Sequence, residues 1–307
     1  MLAVGGGPGC PKEMGVFPEV IAIFGPTASG KSDVAETLAD RLGTEVVSAD
    51  ALQVYRDLPI LTNQSRRPTR LVAIRELGDE MSVGEYARLA HAVIDELVET
   101  NGSVVVTGGT GLYLRAALVD LELPPAPREG ARERWEAAYD ADPAAAYARL
   151  AELDRRAAEA VHVHDRRRVV RALELAEMGL SLAADEDRLW SEDLRRPTLV
   201  VGLDLSKVRL EERIRARAQA MVAAGVVDEV RAAHARGLSR TAEKAHGFRE
   251  LSELPAEDAL ERIVVRTRRY AAYQRKWMRR IPGIVMIDAD RPADEVADAI
   301  LEVARPR

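Results

Sequence analysis

The sequence predicts an α/β fold, a parallel sheet flanked by helices and carrying an all-helical insertion. Three observations predict it. Short apolar, often β-branched runs alternate with segments of helical periodicity over residues 20–106, and strand character returns at 197–204 and 284–287. The turn after the first run is rich in glycine and opens directly into a helical pattern, the arrangement of a parallel sheet whose ligands sit at the carboxyl ends of its strands. Residues 128–188, by contrast, are rich in Ala, Arg and Glu, repeat at helical spacing and hold no strand signal.

Taken in order, residues 20–24 (VIAIF), bounded by Gly25 and Pro26, read as a buried strand. Val34, Leu38 and Leu42 recur at helical spacing over 31–42, and Gly43 fits the C-cap. Val46 and Val47 form a second strand that ends at Ser48, Ala49 and Asp50. A helix over 83–100 stops at Asn101-Gly102, and Val104, Val105 and Val106 make the third strand. Pro124, Pro125 and Pro127 then break the chain before the helical stretch. Residues 197–204 resume as a strand, 209–236 and 260–280 read as long helical segments, and 284–287 as a last strand. The expected organisation is a disordered leader over 1–18, a core built from 19–122 and 196–307, and a helical insertion over 123–195. Met14 offers an alternative start to Met1.

The only cysteine, Cys10, excludes disulfide frameworks and Cys-based zinc sites, so a reducing compartment, the cytoplasm, is expected. No apolar run approaches the roughly 20 residues that span a bilayer, and a monomer away from membranes is expected. With 44 Lys and Arg against 50 Asp and Glu, the net charge of −6 argues at face value against a nucleic-acid partner. The distribution argues the other way: residues 262–280 carry Arg262, Arg266, Arg268, Arg269, Arg275, Lys276, Arg279 and Arg280 with no acid among them. A second basic cluster is Arg166, Arg167, Arg168 and Arg171. Tyr273 and Trp277 lie at helical spacing, where aromatic residues are more often core than base-stacking. His162 and His164 form an H-x-H pair, which on a helix points the rings apart and so does not read as a metal site.

Gly25-Pro26-Thr27-Ala28-Ser29-Gly30-Lys31-Ser32 fits G-x-x-x-x-G-K-[ST] at every fixed position, between a strand and a helix, as the motif requires. The glycines let the backbone wrap an anion, the helix N-terminus offers free N–H groups, Lys31 neutralises phosphate and Ser32 can ligate Mg2+. The sheet is therefore expected to be P-loop NTPase-like. Asp50 ends the second strand at the edge where this loop opens, placed to act as a general base, to reach Mg2+ through water, or to cap the next segment. Gly108-Gly109-Thr110-Gly111 follows the third strand and brings backbone close to a ligand.

The P-loop GPTASGKS, followed by SADALQVYRDLPI, TGGTGLYLRAAL, DRRRVVRALE and TRRYAAYQRKWMRR in that order, resembles the tRNA dimethylallyltransferase (tRNA isopentenyltransferase) family over nearly the whole chain from Val20. The resemblance implies transfer of a dimethylallyl group from dimethylallyl diphosphate to N6 of the adenine 3′-adjacent to a tRNA anticodon, with diphosphate released. It implies that Lys31 and residues 25–32 hold the diphosphate with Mg2+ near Ser32, that Lys244 joins them, that Asp50 is the base, and that Thr110 lies near the reacting groups. Asp50, Ala51, Leu52 and Gln53 fall where the family contacts the target nucleotide, and Arg166, Arg167, Arg168, Arg171, Arg249, Arg268, Arg269, Gln274 and Arg275 are the expected grip on the anticodon stem-loop. Lys244 stands where the family has Arg, and Ala272 and Tyr273 where it commonly has Lys and Arg. Two alternatives remain at this level: a free adenine nucleotide as acceptor, as in cytokinin-forming enzymes, and a P-loop small-molecule kinase.

Overall fold

The computed structural model describes residues 17–121, 123–183 and 188–306, so the greater part of the expected leader, with Cys10 and Met14, lies outside the described residues. Five parallel strands, β1 (Val20–Phe24), β2 (Val46–Ser48), β3 (Val104–Gly108), β4 (Thr198–Asp204) and β5 (Val285–Asp288), form one sheet in the order β2-β3-β1-β4-β5. Register places the site. Phe24 lies opposite both Gly108 and Gly202, and Ser48 opposite Thr107, so β1, β2, β3 and β4 deliver their following loops to one edge.

Alternation along β1 explains why helices cover both faces. Val20, Ala22 and Phe24 enter one core, with Tyr86 and Ile94 of α2 (Val83–Asn101) and Leu114 of α3 (Gly111–Leu118). Ile21 and Ile23 enter the other, with Val34 and Leu38 of α1 (Lys31–Leu42). Both faces of the strands are buried, hence their unbroken apolar runs.

The helical stretch folds as α4 (Ala131–Ala141), α5 (Pro143–Leu153), α6 (Arg155–Ala160) and α7 (Arg166–Ala176) around its own core of Tyr139, Leu150, Val169 and Leu173. Glu174 is buried there between Arg132, at 2.7 Å, and Arg171, at 2.9 Å. A buried carboxylate with two guanidinium partners fixes how α4 meets α7, and losing both partners would strand its charge.

Beyond β4 the expected continuous segment over 209–236 is two helices, α8 (Lys207–Ala223) and α9 (Val226–Arg236), because Gly225 between them takes a left-handed φ of 90°. After α10 (Phe248–Glu253), α11 (Ala256–Met278) starts earlier than its basic stretch, with Glu257 and Asp258 in the first turn and Arg275 and Lys276 in the last, matching the helix dipole. The closing helix α12 (Ala293–Ala304) was not expected from the sequence, although Val296, Ala297, Ile300 and Ala304 bury one helical face beside α1. Among the described residues no helix is long and apolar enough to cross a membrane.

Candidate active site

A cavity of about 540 Å³ opens at the carboxyl edge of the sheet, lined by the P-loop, Asp50, the turn after β3, α8 and α11. The P-loop itself is shaped for an anion. Ala28 and Gly30 both take positive φ, 65° and 88°, which turns successive N–H groups toward one centre. Lys31 opens α1 and donates to the Pro26 carbonyl at 2.8 Å. Burial pulls its pKa down to about 8, with the Asp50 charge opposing and the Arg217 charge adding to the fall. Among the described residues the buried Ser29 hydroxyl has no hydrogen-bond partner, and Ser32 of the same loop lines the cavity.

Asp50 does not cap a helix. One carboxylate oxygen accepts from the Leu52 N–H at 2.9 Å, a two-residue turn that holds the side chain at the cavity and leaves its other oxygen outside that bond. The Thr110 hydroxyl accepts from the Ala51 N–H at 3.4 Å, tying this turn to the one after β3. Leu52 and Gln53 line the cavity, but the Gln53 amide is already engaged: it accepts from Ser48 at 2.8 Å and donates to the Asn63 carbonyl at 3.0 Å.

The glycines of the G-G-T-G turn are explained by what presses on them. A Cβ at Gly108 would overlap Ala49, one at Gly109 the Gln274 amide, and one at Gly111 the Trp277 ring. The turn is thus the bed on which α11 lies. Gln274, expected at the tRNA, is 3% exposed and bridges the two glycine loops, accepting from the Thr27 N–H at 2.8 Å and donating to the Gly109 carbonyl at 2.7 Å. Gln274→Ala strands both backbone groups, each at a cost of ~1–3 kcal/mol. Thermal unfolding is therefore expected at lower temperature. A variant with unchanged Tm would refute the bridging role.

Four site residues escaped the sequence reading. Arg213 and Arg217, one turn apart on α8, face the P-loop: Arg217 donates to the Thr27 hydroxyl at 2.9 Å and Arg213 to the Ser29 carbonyl at 3.4 Å. His246 and Tyr270 also line the cavity, their rings 4.2 Å apart. Burial, then the Arg266 charge, holds the His246 imidazole below its usual range; burial, then the Asp50 charge, raises the Tyr270 phenol. The recoverable signal was on α8, where Arg213 and Arg217 alternate with Ile214, Ala218 and Met221 at helical spacing.

Lys244, expected at the diphosphate, is exposed at the end of a 3-10 turn and does not line the cavity; the chain turns so that His246, two residues on, does. Arg249 is also outside the cavity, paired with Glu253 at 2.9 Å. The basic clusters divide in two. Arg166 holds Asp140 through two bonds of 2.6 and 2.7 Å, Arg171 donates to Glu174 and the Pro125 carbonyl, Arg268 pairs with Glu211 and Arg275 with Asp204 and the Leu205 carbonyl. Arg167, Arg168, Arg262, Arg269, Lys276 and Arg279 are exposed, with no ion pair among the described residues.

Comparison with known proteins fits this geometry. The IPP transferase family model matches residues 53–281, and the isopentenyl transferase model matches residues 18–72. The chain belongs to the IPP transferase family. Two curated relatives named tRNA dimethylallyltransferase, from Streptomyces coelicolor and Thermobifida fusca, are each 40% identical, covering 87% and 89% of this chain and 89% and 91% of theirs. Among solved structures, the full-length tRNA isopentenylpyrophosphate transferase of Bacillus halodurans aligns at a TM-score of 0.67 and 28% identity over 94% of this chain and 96% of that one. A eukaryotic dimethylallyltransferase described as acting on tRNA aligns at a TM-score of 0.75 and 25% identity, over 94% of this chain and 80% of that one. The IPP transferase match takes in the helical stretch and α11, and the isopentenyl transferase match takes in the P-loop and Asp50.

Proposed function

We propose that this chain transfers the dimethylallyl group of dimethylallyl diphosphate to N6 of the adenosine 3′-adjacent to a tRNA anticodon. The observation that carries this reading is one cavity lined by two unlike kinds of group: Lys31, Arg213, Arg217 and the P-loop amides on the one hand, the apolar Leu61, Ile214, Ala218, Met221 and Ile263 on the other. A diphosphate with a short apolar tail satisfies both, whereas a nucleotide would set its polar ribose against hydrocarbon.

In the reaction the adenine N6 bonds to the allylic carbon as the carbon–oxygen bond breaks, and the diphosphate leaves with the electron pair. Lys31 and the P-loop amides take up the charge that develops on it. Asp50 accepts the proton from N6, held in place by the Leu52 amide and the turn that Thr110 anchors. The unpartnered Ser29 hydroxyl and the cavity-facing Ser32 provide the hard oxygen surroundings that suit Mg2+ alongside phosphate. Ser32 would hold the ion, which when bound adds positive charge to the leaving group.

The unpaired cations Arg167, Arg168, Arg262, Arg269, Lys276 and Arg279 supply the surface for an RNA backbone, with the helical insertion gripping the stem-loop while α11 borders the site. The setting is a monomer in the reducing cytoplasm. Labelled dimethylallyl diphosphate offered with an anticodon stem-loop RNA or with AMP tests the acceptor. Label is expected in the RNA, with transfer that weakens steeply as salt rises. Label in AMP alone would overturn the reading, as would stabilisation by ATP without stabilisation by a donor analogue.

A further inference from the structure

Along α11 the aromatic side chains form a continuous run that begins inside the cavity. The Tyr270 ring lines it; Tyr273 lies beside Tyr270 with ring centres 6.5 Å apart and planes 23° from parallel. Trp277 follows edge-on to Tyr273 at 6.5 Å, and packs on Trp190 at 4.8 Å, over which the Arg280 guanidinium lies at 3.9 Å. Tyr270 and Trp277 are tied into the protein, the latter against Gly111. Tyr273 is not: it is 55% exposed, an aromatic ring presented to solvent one helical turn from the cavity wall. One turn away on either side of it stand Arg269 and Lys276, exposed and without an ion pair among the described residues.

An exposed ring braced by other rings, flanked by two free cations, is the arrangement that binds single-stranded nucleic acid: the ring stacks a base and the cations take the phosphates. We infer that Tyr273 is a stacking subsite for the nucleobase next to the target adenine, with Arg269 and Lys276 holding the phosphates that join the two. The inference rests on the tRNA acceptor proposed above. A target adenine can enter the cavity only by leaving the anticodon-loop stack, and its former neighbour then exposes a base face. With the target base beside Tyr270, the neighbouring base lies within one sugar–phosphate linkage of Tyr273. This subsite also gives a discrimination that charge alone does not, because a ring pairs with the π-face of a base and not with the backbone.

The experiment compares wild type with Tyr273→Ala and Tyr273→Phe, using anticodon stem-loop RNA with 2-aminopurine on either side of the target adenine. Wild type and Tyr273→Phe are expected to quench the fluorophore at one of the two positions on binding, and Tyr273→Ala to lose that quenching. The KM for RNA is expected to rise about tenfold in Tyr273→Ala, within the range measured for base–aromatic stacking. The KM for the diphosphate donor should stay at the wild-type value in all three, which separates stacking from a general loosening of α11. Equal quenching and equal RNA KM across the three proteins would overturn the subsite while leaving transfer to tRNA intact, since binding fluorescence is read independently of transfer. A donor KM that rises in step with the RNA KM would also overturn it, by making Tyr273 a structural support of the cavity.

Discussion

Asp50→Asn is expected to lower kcat by about 10²–10⁴-fold, the usual contribution of a positioned proton acceptor, with little change in donor affinity. Asn preserves the carbonyl oxygen that accepts from Leu52, so the turn that sets the side chain at the cavity survives. Under the proposed mechanism, what is lost is the ability to take the N6 proton. The substitution has one indirect effect. The Asp50 charge holds the Lys31 pKa up against burial, so removing it lets Lys31 shed its proton at lower pH than the wild-type value of about 8. Comparing the two proteins well below that pH keeps Lys31 charged in both and isolates the proton transfer. Single-turnover transfer of labelled donor, with donor affinity measured separately, is the check. A variant within about tenfold of wild type in kcat under those conditions would remove Asp50 as the base.

The parts of this site that were legible in the sequence are those in which a short stretch of chain makes its own geometry. Residues 25–32 fold as an anion-binding loop because glycine spacing, the preceding strand and the following helix are all local. Asp50 and Gly108-Gly109-Thr110-Gly111 were found because parallel strands deliver their following loops to one edge. The rest of the site depends on packing between distant segments. Gln274 reads as one polar residue in a basic helix, and only the approach of α11 to the glycine turn makes it a bridge between two loops. Arg213 and Arg217 reach the P-loop because α8 crosses it. Lys244 lies outside the cavity that His246, two residues on, lines, a spacing that motif matching does not resolve. Charge behaves similarly. Residues 262–280 hold no acid, yet Arg266, Arg268 and Arg275 pair with Glu250, Glu211 and Asp204 from other parts of the chain. The cations left for RNA are thus fewer than the helix carries, and composition alone could not say which.

Lys31→Gln is expected to reduce kcat/KM for the donor by about 10²–10³-fold, the scale for removing one preorganised group that stabilises transition-state charge. Gln keeps most of the length and a hydrogen-bond donor one atom short of the lysine Nζ that bonds Pro26, so the loop should persist while its charge is lost. The wild-type pH profile carries an independent signature. In the free enzyme Lys31 is charged below about 8 and neutral above it, because burial disfavours the ammonium. Only the charged form complements the diphosphate, so kcat/KM should fall as pH rises through about 8. Bound diphosphate stabilises the ammonium and raises its pKa, so kcat itself should hold level to higher pH than kcat/KM does. The variant has no ammonium to lose and should show a low kcat/KM without the alkaline fall. If the fall persists in Lys31→Gln at the same pH, it belongs to another group, and the assignment of Lys31 as the charge that titrates in the free enzyme fails.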